Sequence, residues 1–120
     1  MADVYTPSIL LGSTQPEVTK QWYKEVFGAA ESPMGALDFG GFLLFIEGHS
    51  EVTGPAKDPA RWVLNMNVSD ARHFEAALKA RQANWIRPME EMPFGIIGTV
   101  TDPDGNYVQV IQWAAAPADH

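Results

Sequence analysis

The order of the predicted elements constrains the fold more than any other feature of this sequence. A strand, a helix and then two or three strands follow one another in the first half of the chain, and the same order recurs in the second half. The two predicted helix starts, near Thr14 and near Asp70, lie about 55 residues apart. This repeated order indicates an internal duplication and predicts an α+β protein built from two βαβββ modules.

The first helix carries strong local signals. Thr14 and Glu17 have the spacing of a capping box, and Pro16 suits the first helical turn. Apolar residues then recur every four positions from Val18 to Val26, which gives the helix one apolar face. The pattern therefore predicts an amphipathic helix that packs one side against a sheet.

Glycine and proline mark the other boundaries. The glycine pair at 40–41 separates two apolar segments and predicts a hairpin, whereas the stretch 48–60 is typical of a connector. The apolar segment 62–68 then predicts a strand, and Ser69 or Asp70 begins the second helix. Asp102–Gly105 predicts a turn between the last two strands, because proline presets one backbone angle and glycine permits a positive φ.

Composition narrows the class of protein. With 46% apolar and 19% charged residues, residues 1–120 are expected to form one folded domain, with modules of about 1–50 and 60–115. A net charge of −7 with scattered basic residues argues against nucleic acid as a partner. The absence of cysteine fits a cytoplasmic protein, and no apolar run reaches the ~18 residues that a membrane span needs. We therefore expect a soluble protein without a membrane partner.

Three segments resemble one superfamily. Ser13–Gly28 (STQPEVTKQWYKEVFG) and Asn67–Asp70 resemble the two strand-to-helix junctions of the vicinal oxygen chelate superfamily, and Thr101–Gln112 (TDPDGNYVQVIQ) resembles its last turn and strand. The superfamily includes glyoxalase I, bleomycin-resistance proteins and extradiol dioxygenases. The resemblance implies the glyoxalase/bleomycin-resistance fold, in which curved mixed sheets surround a cleft, and it implies a homodimer.

Metal-dependent members of that superfamily place one metal ligand on each of four strands. The positions that correspond in this sequence are Ser8, Phe45, Val63 and Gln109. Of these, Gln109 alone has a suitable side chain, and an amide is a poor ligand without carboxylate or imidazole groups beside it. We therefore expect neither a metal nor another cofactor in this chain.

The carried-over cleft positions and the alternation of strand residues predict where a ligand is bound. Gln109 shares a strand face with Tyr107, and Asn65 and Asn67 share one with the cleft position Val63. The predicted ligand-binding residues are Phe45, Asn65, Asn67, Trp85, Phe94, Tyr107 and Gln109. The segment 87–93, between Trp85 and Phe94, is predicted as a loop at the pocket edge.

Each of these assignments has a structural alternative. The amides can be satisfied by neighbouring strands or lie on a polar outer face, and the aromatic residues, including Trp62 and Trp113, can belong to the core. Arg61 and Arg87 offer a guanidinium fork to a ligand carboxylate or phosphate, and the alternative is a solvated surface. The sequence contains no arrangement typical of a catalytic nucleophile and its base.

These residues support three hypotheses about function. The first is a metal-independent protein that binds a small organic molecule in an aromatic-lined pocket. The second is a metal-dependent lyase, isomerase or dioxygenase that recruits an unforeseen ligand set such as Glu47, His49 and Gln109. The third is an interaction module whose pocket has collapsed. The missing metal ligands favour binding over catalysis.

Overall fold

The computed structural model describes residues 2–114 and contains the βαβββ order twice. The first unit comprises β1 (Ile9–Ser13), α1 (Pro16–Phe27), β2 (Ala30–Glu31), β3 (Leu37–Asp38) and β4 (Leu43–Gly48). The second comprises β5 (Leu64–Asn67), α2 (Ala71–Ala80), β6 (Trp85–Met92), β7 (Gly95–Thr101) and β8 (Tyr107–Trp113). The chain divides into two compact units at the Pro55–Ala56 bond, inside the predicted connector. The predicted α+β class and the duplicated order are confirmed.

The first sheet has the strand order β1-β4-β3-β2, and β1 runs parallel to β4. Helix α1 packs against β4 and β1 and buries Tyr23 and Val26. On β4 the alternating residues Leu44 and Ile46 are buried, whereas Phe45 between them is half-buried. One face of this sheet therefore forms a core with α1, and Phe45 belongs to the other face.

The second sheet repeats this arrangement with the order β5-β8-β7-β6 and a parallel β5–β8 pair. Helix α2 packs against β8, where Val108 and Val110 are almost fully buried. Two side chains satisfy backbone donors at the start of α2: Asp70 accepts from the N–H of His73, and Gln112 of β8 accepts from the N–H of Ala71 at 2.8 Å. The even-numbered side chains of β8 therefore face α2.

The cap at Asp70 gives a first testable prediction. Asp70→Ala should lower the free energy of unfolding by about 1 kcal/mol, because it removes the acceptor for a first-turn donor. Urea denaturation measures the loss. Asp70→Asn keeps an acceptor at the same place and serves as the control, so an equal loss in both variants would contradict a capping role.

Several predicted boundaries need correction. Gln15, not Thr14, is the N-cap of α1, and it makes no side-chain cap bond. The strand predicted over 62–68 begins only at Leu64, after the bends at 61–62. The segment 87–93, predicted as a loop, lies largely within β6. Two register shifts in β6 accommodate Pro88 and the charged side chains near it. A bulge at the edge of a sheet tolerates such residues better than a regular strand does.

The predicted hairpin at 40–41 is confirmed. Gly40 and Gly41 have φ values of 79° and 109°, a backbone conformation that residues with a Cβ rarely adopt. The carboxylate of Asp38 accepts a hydrogen bond from the N–H of Gly41 at 2.7 Å.

Within residues 2–114, neither helix is long and apolar enough to cross a membrane.

Candidate functional site

The candidate site is the open face of the second sheet, defined as the side that points away from α2. Because Gln112 bonds to the first residue of α2, the odd-numbered residues of β8 point to the opposite side. Strand pairing places Asn65 and Thr99 on either side of Gln109, and Arg87 beside Thr99. Directly paired residues share a sheet face. The open face therefore carries one polar row that crosses all four strands.

Two side-chain hydrogen bonds join β5 to β8 on the open face. Gln109 Nε2 donates to Asn65 Oδ1 at 2.9 Å, and Trp113 Nε1 donates to Asn67 Oδ1 at 3.0 Å. Both asparagines lie on β5, where this residue type is a poor strand former. The structure thus brings together Asn65, Asn67 and Gln109 on one face.

Aromatic side chains lie at one end of the open face. The rings of Phe94 and Trp113 have centroids 6.0 Å apart and are tilted by 53°. They remain 40% and 45% exposed, respectively, so their ring surfaces are accessible to a ligand. Tyr107, at the other end of β8, belongs to the same face and is half-buried.

One ion pair lies on the open face. Arg87 Nε donates to Glu90 Oε1 at 2.8 Å, and both residues lie on β6. Their partners on β7 are Thr99 and Ile97. The pair neutralises the guanidinium that the sequence offered as a ligand contact. Arg61, the other arginine proposed for that role, forms a 3.8 Å pair with Asp58 on the solvent-exposed surface.

Two predicted ligand-binding residues are not among those of the open face of the second sheet. Trp85 pairs with Val100 and its ring covers Gly98, where an added Cβ would lie 3.1 Å from the indole. Gly98 pairs with Val110, which faces α2, so Trp85 is on the side of the sheet opposite Gln109. Phe45 belongs to the first unit, where it pairs with Leu10, and its role as a ligand contact stays a prediction.

Some residues of the open face were not predicted from the sequence. Ile111, which the alternation of β8 predicts on the face of Gln109, is buried there and pairs with Ile97. These two isoleucines form the floor between the polar row and the aromatic pair, and Thr99 is the buried β7 member of that row. The apolar side chain of Ile97 and the hydroxyl of Thr99 give no chemical signal. The alternation of β7 residues was the one signal that indicated a shared face.

The residues at the four carried-over metal positions do not fit a metal ion. Phe45 and Val63 have no coordinating atom, and the Gln109 amide is hydrogen-bonded to Asn65. Ser8 precedes β1 and is exposed. In the part of the chain that the structure describes, no three His, Asp or Glu side chains converge as a metal site. These positions therefore provide no adequate donor set for a metal ion.

Comparison with known proteins places these features in a known fold. No family profile and no curated protein sequence matches the chain. Among solved structures, TioX from Micromonospora sp. ML1 is similar with a TM-score of 0.69 and 19% identity, over 90% of this chain and 98% of TioX. A glyoxalase/bleomycin resistance protein/dioxygenase family enzyme from Burkholderia phytofirmans PsJN reaches 0.72 at 18% identity, over 88% and 97%. Lactoylglutathione lyase from Agrobacterium tumefaciens reaches 0.63 at 15% identity, over 92% and 95%.

Proposed function

We propose, from the premise that this chain has the glyoxalase/bleomycin-resistance fold, that it binds a small organic molecule on the open face of its second sheet and needs no metal to do so. The observation that carries the proposal is the combination of cross-strand amides with a partly exposed aromatic pair on one sheet face. Ligand sites typically combine apolar and aromatic walls with a few placed polar groups. Within the described part of the second unit, helix α2 packs on the other face of the sheet and leaves these groups accessible.

Catalysis is the less favoured function because the side chains at the positions that correspond to metal ligands are poor ligands. The lyase named among the similar structures shares the fold, and fold alone does not carry an activity. Phe45 and Val63 at two of the corresponding ligand positions have no lone pair to offer a metal. The open face also carries no nucleophile paired with a base among the described residues. Binding requires only the groups that are present.

Two further expectations belong to this proposal. The superfamily resemblance supports a homodimer, which multi-angle light scattering measures directly as a mass of twice 13.2 kDa. The absence of cysteine supports a cytoplasmic location. Neither expectation is needed for binding on the open face.

The indole of Trp113 offers a direct test of ligand binding. Nitrogen–proton NMR spectra of a library of flat heteroaromatic compounds, recorded with a chelator present, should identify compounds that shift the Trp113 indole N–H in a saturable way. Trp113→Phe assigns this signal by its loss.

Trp62 provides the matched control for this experiment. It is 77% exposed and precedes β5, so its indole signal should not move with that of Trp113. A library that leaves the Trp113 indole and the side-chain amides of Asn65 and Gln109 unchanged would contradict the proposed function.

A further inference from the structure

The paired amides of Asn65 and Gln109 have a fixed remaining capacity for hydrogen bonds. A carboxamide offers one NH₂ donor group and one carbonyl acceptor. In their mutual bond, one N–H of Gln109 meets the carbonyl of Asn65, and the groups left wholly outside this bond are the Gln109 carbonyl and the Asn65 NH₂. If both amides are rotated by 180°, the remaining groups exchange residues but are still one donor and one acceptor. The pair is therefore complementary to one donor and one acceptor in either orientation.

The orientation of the neighbouring amide follows from tryptophan chemistry. An indole N–H is a donor only, so its bond to Asn67 requires the Asn67 carbonyl. The Asn67 NH₂ is then left as an additional donor, on the same face of β5 as Asn65 and about 7 Å along the strand. The three amides therefore form a row, and at its Asn67 end the indole fixes which group of the amide is a donor toward a ligand.

The indole also brings an aromatic surface close to the amide pair. Trp113 lies four residues beyond Gln109 on β8, but its ring reaches back to Asn67, which pairs with Ile111. The indole N–H therefore lies two residues along the strands, or roughly 7 Å, from the Asn65–Gln109 bond. Ile111 is 5% exposed and provides an apolar floor between them.

The charges of the open face cancel. Arg87 is bonded to Glu90 at 2.8 Å, so an anionic ligand would have to displace a carboxylate that is already in place. The chain as a whole carries a net charge of −7, which adds a general repulsion of anions. The polar groups left for recognition are neutral amides.

We infer that the open face recognises a neutral, flat ring compound with an N–H donor next to a carbonyl acceptor on one edge, the chemistry of a lactam or cyclic imide. This inference rests on the proposed function and specifies the ligand class. The donor–acceptor edge pairs with Asn65 and Gln109, and the ring lies over Ile111 toward the Trp113 indole.

Three probes of nearly equal shape test the inference in the full chain. They are 2-quinolinone, which carries the donor–acceptor edge, 2-methoxyquinoline, which has acceptors only, and naphthalene, which has neither. NMR titration of the Trp113 indole N–H gives each Kd. We expect 2-quinolinone to bind about tenfold more tightly than 2-methoxyquinoline, since the latter leaves an amide acceptor unpaired.

Two substitutions should abolish this preference. In Gln109→Glu the carboxylate accepts from one N–H of the Asn65 amide, and the two groups left wholly outside this bond are both acceptors; Asn65→Asp produces the same edge from the other strand. Both variants should lose the preference for 2-quinolinone and gain at least about tenfold in affinity for the 2-aminobenzimidazole cation, whose edge carries donors only. Because the two variants alter different strands, failure of one to fold still leaves the other to measure.

The outcomes separate this inference from the proposed function. Equal binding of 2-quinolinone and 2-methoxyquinoline to the unaltered chain, or an unchanged preference in both variants, would overturn the inference while the face remains a ligand site. Failure of all three probes and the library to shift the Trp113 signal would overturn the proposed function as well.

Discussion

Asp102→Ala is expected to lower the free energy of unfolding by about 3 kcal/mol, because one buried carboxylate organises the turn before β8. Asp102 is 4% exposed. Its oxygens accept from the backbone N–H groups of Asp104 and Asn106 at 2.8 and 3.0 Å and from the Asn106 amide at 2.9 Å. Alanine at this position leaves those donors without their acceptor in a mostly buried turn.

Urea denaturation of Asp102→Ala beside Asp58→Ala measures this loss. Asp58 is 76% exposed at its side chain and pairs with Arg61 at 3.8 Å, so its replacement should cost less than about 0.5 kcal/mol. If both variants lost the same small amount, the turn would owe its shape to Pro103 and Gly105 alone.

Gly95→Ala is expected to cost about 3 kcal/mol or more, because both the backbone angle and the space exclude a side chain. The φ of Gly95 is 148°. A Cβ built at this position would lie 2.1 Å from the Gln112 carbonyl oxygen and 2.9 Å from Trp113 Cα. These are backbone atoms of the paired strand, so relief of the overlap requires β7 to move away from β8.

Gly54→Ala is the matched control for Gly95→Ala. An added Cβ at Gly54 meets nothing within 4 Å, and its φ lies outside the positive region. Thermal denaturation should leave Gly54→Ala near the unaltered chain and lower the Tm of Gly95→Ala by many degrees. The Trp113 indole signal should also shift in Gly95→Ala, since Gly95 pairs with Trp113. A Gly95→Ala protein as stable as the Gly54→Ala control would contradict the close approach of Gly95 to the backbone of β8.

Local signals account for the part of the fold that sequence predicts well. The start of α1 near Pro16, its end at Gly28 and the Gly40–Gly41 hairpin depend on neighbouring residues alone, and the structure has all three. The sequence indicated only the first two residues of β6, Trp85 and Ile86, because Pro88 and the nearby glutamates disfavour a strand locally. Its pairing with β7 through two register shifts is a property of the whole sheet.

The site was predictable as a set of residue types on a face but not as a set of bonds. Alternation along β8 and β5 indicated that Gln109 and the two asparagines share faces with cleft positions. The bond between Asn65 and Gln109 spans 44 positions of sequence, and it depends on the parallel register of two strands that no local pattern determines. Trp85 was predicted as a ligand contact from its residue type alone. The register of β6 and β7 pairs it with Val100, on the face of the sheet toward α2, and its role as a ligand contact stays a prediction.

The position of β5 at the edge of its sheet links the proposed ligand face to local opening of the chain. This strand has only four residues and is held on one side, by parallel pairing with β8. When such an edge strand detaches, Asn65 leaves Gln109 and Asn67 leaves Trp113 at the same moment, while β6, β7 and β8 stay paired. The proposed recognition groups therefore exist as a set only in the closed fraction of molecules, and we expect the apparent affinity for a ligand to scale with that fraction. A bound ligand that bridges the two strands would in turn hold the sheet edge shut.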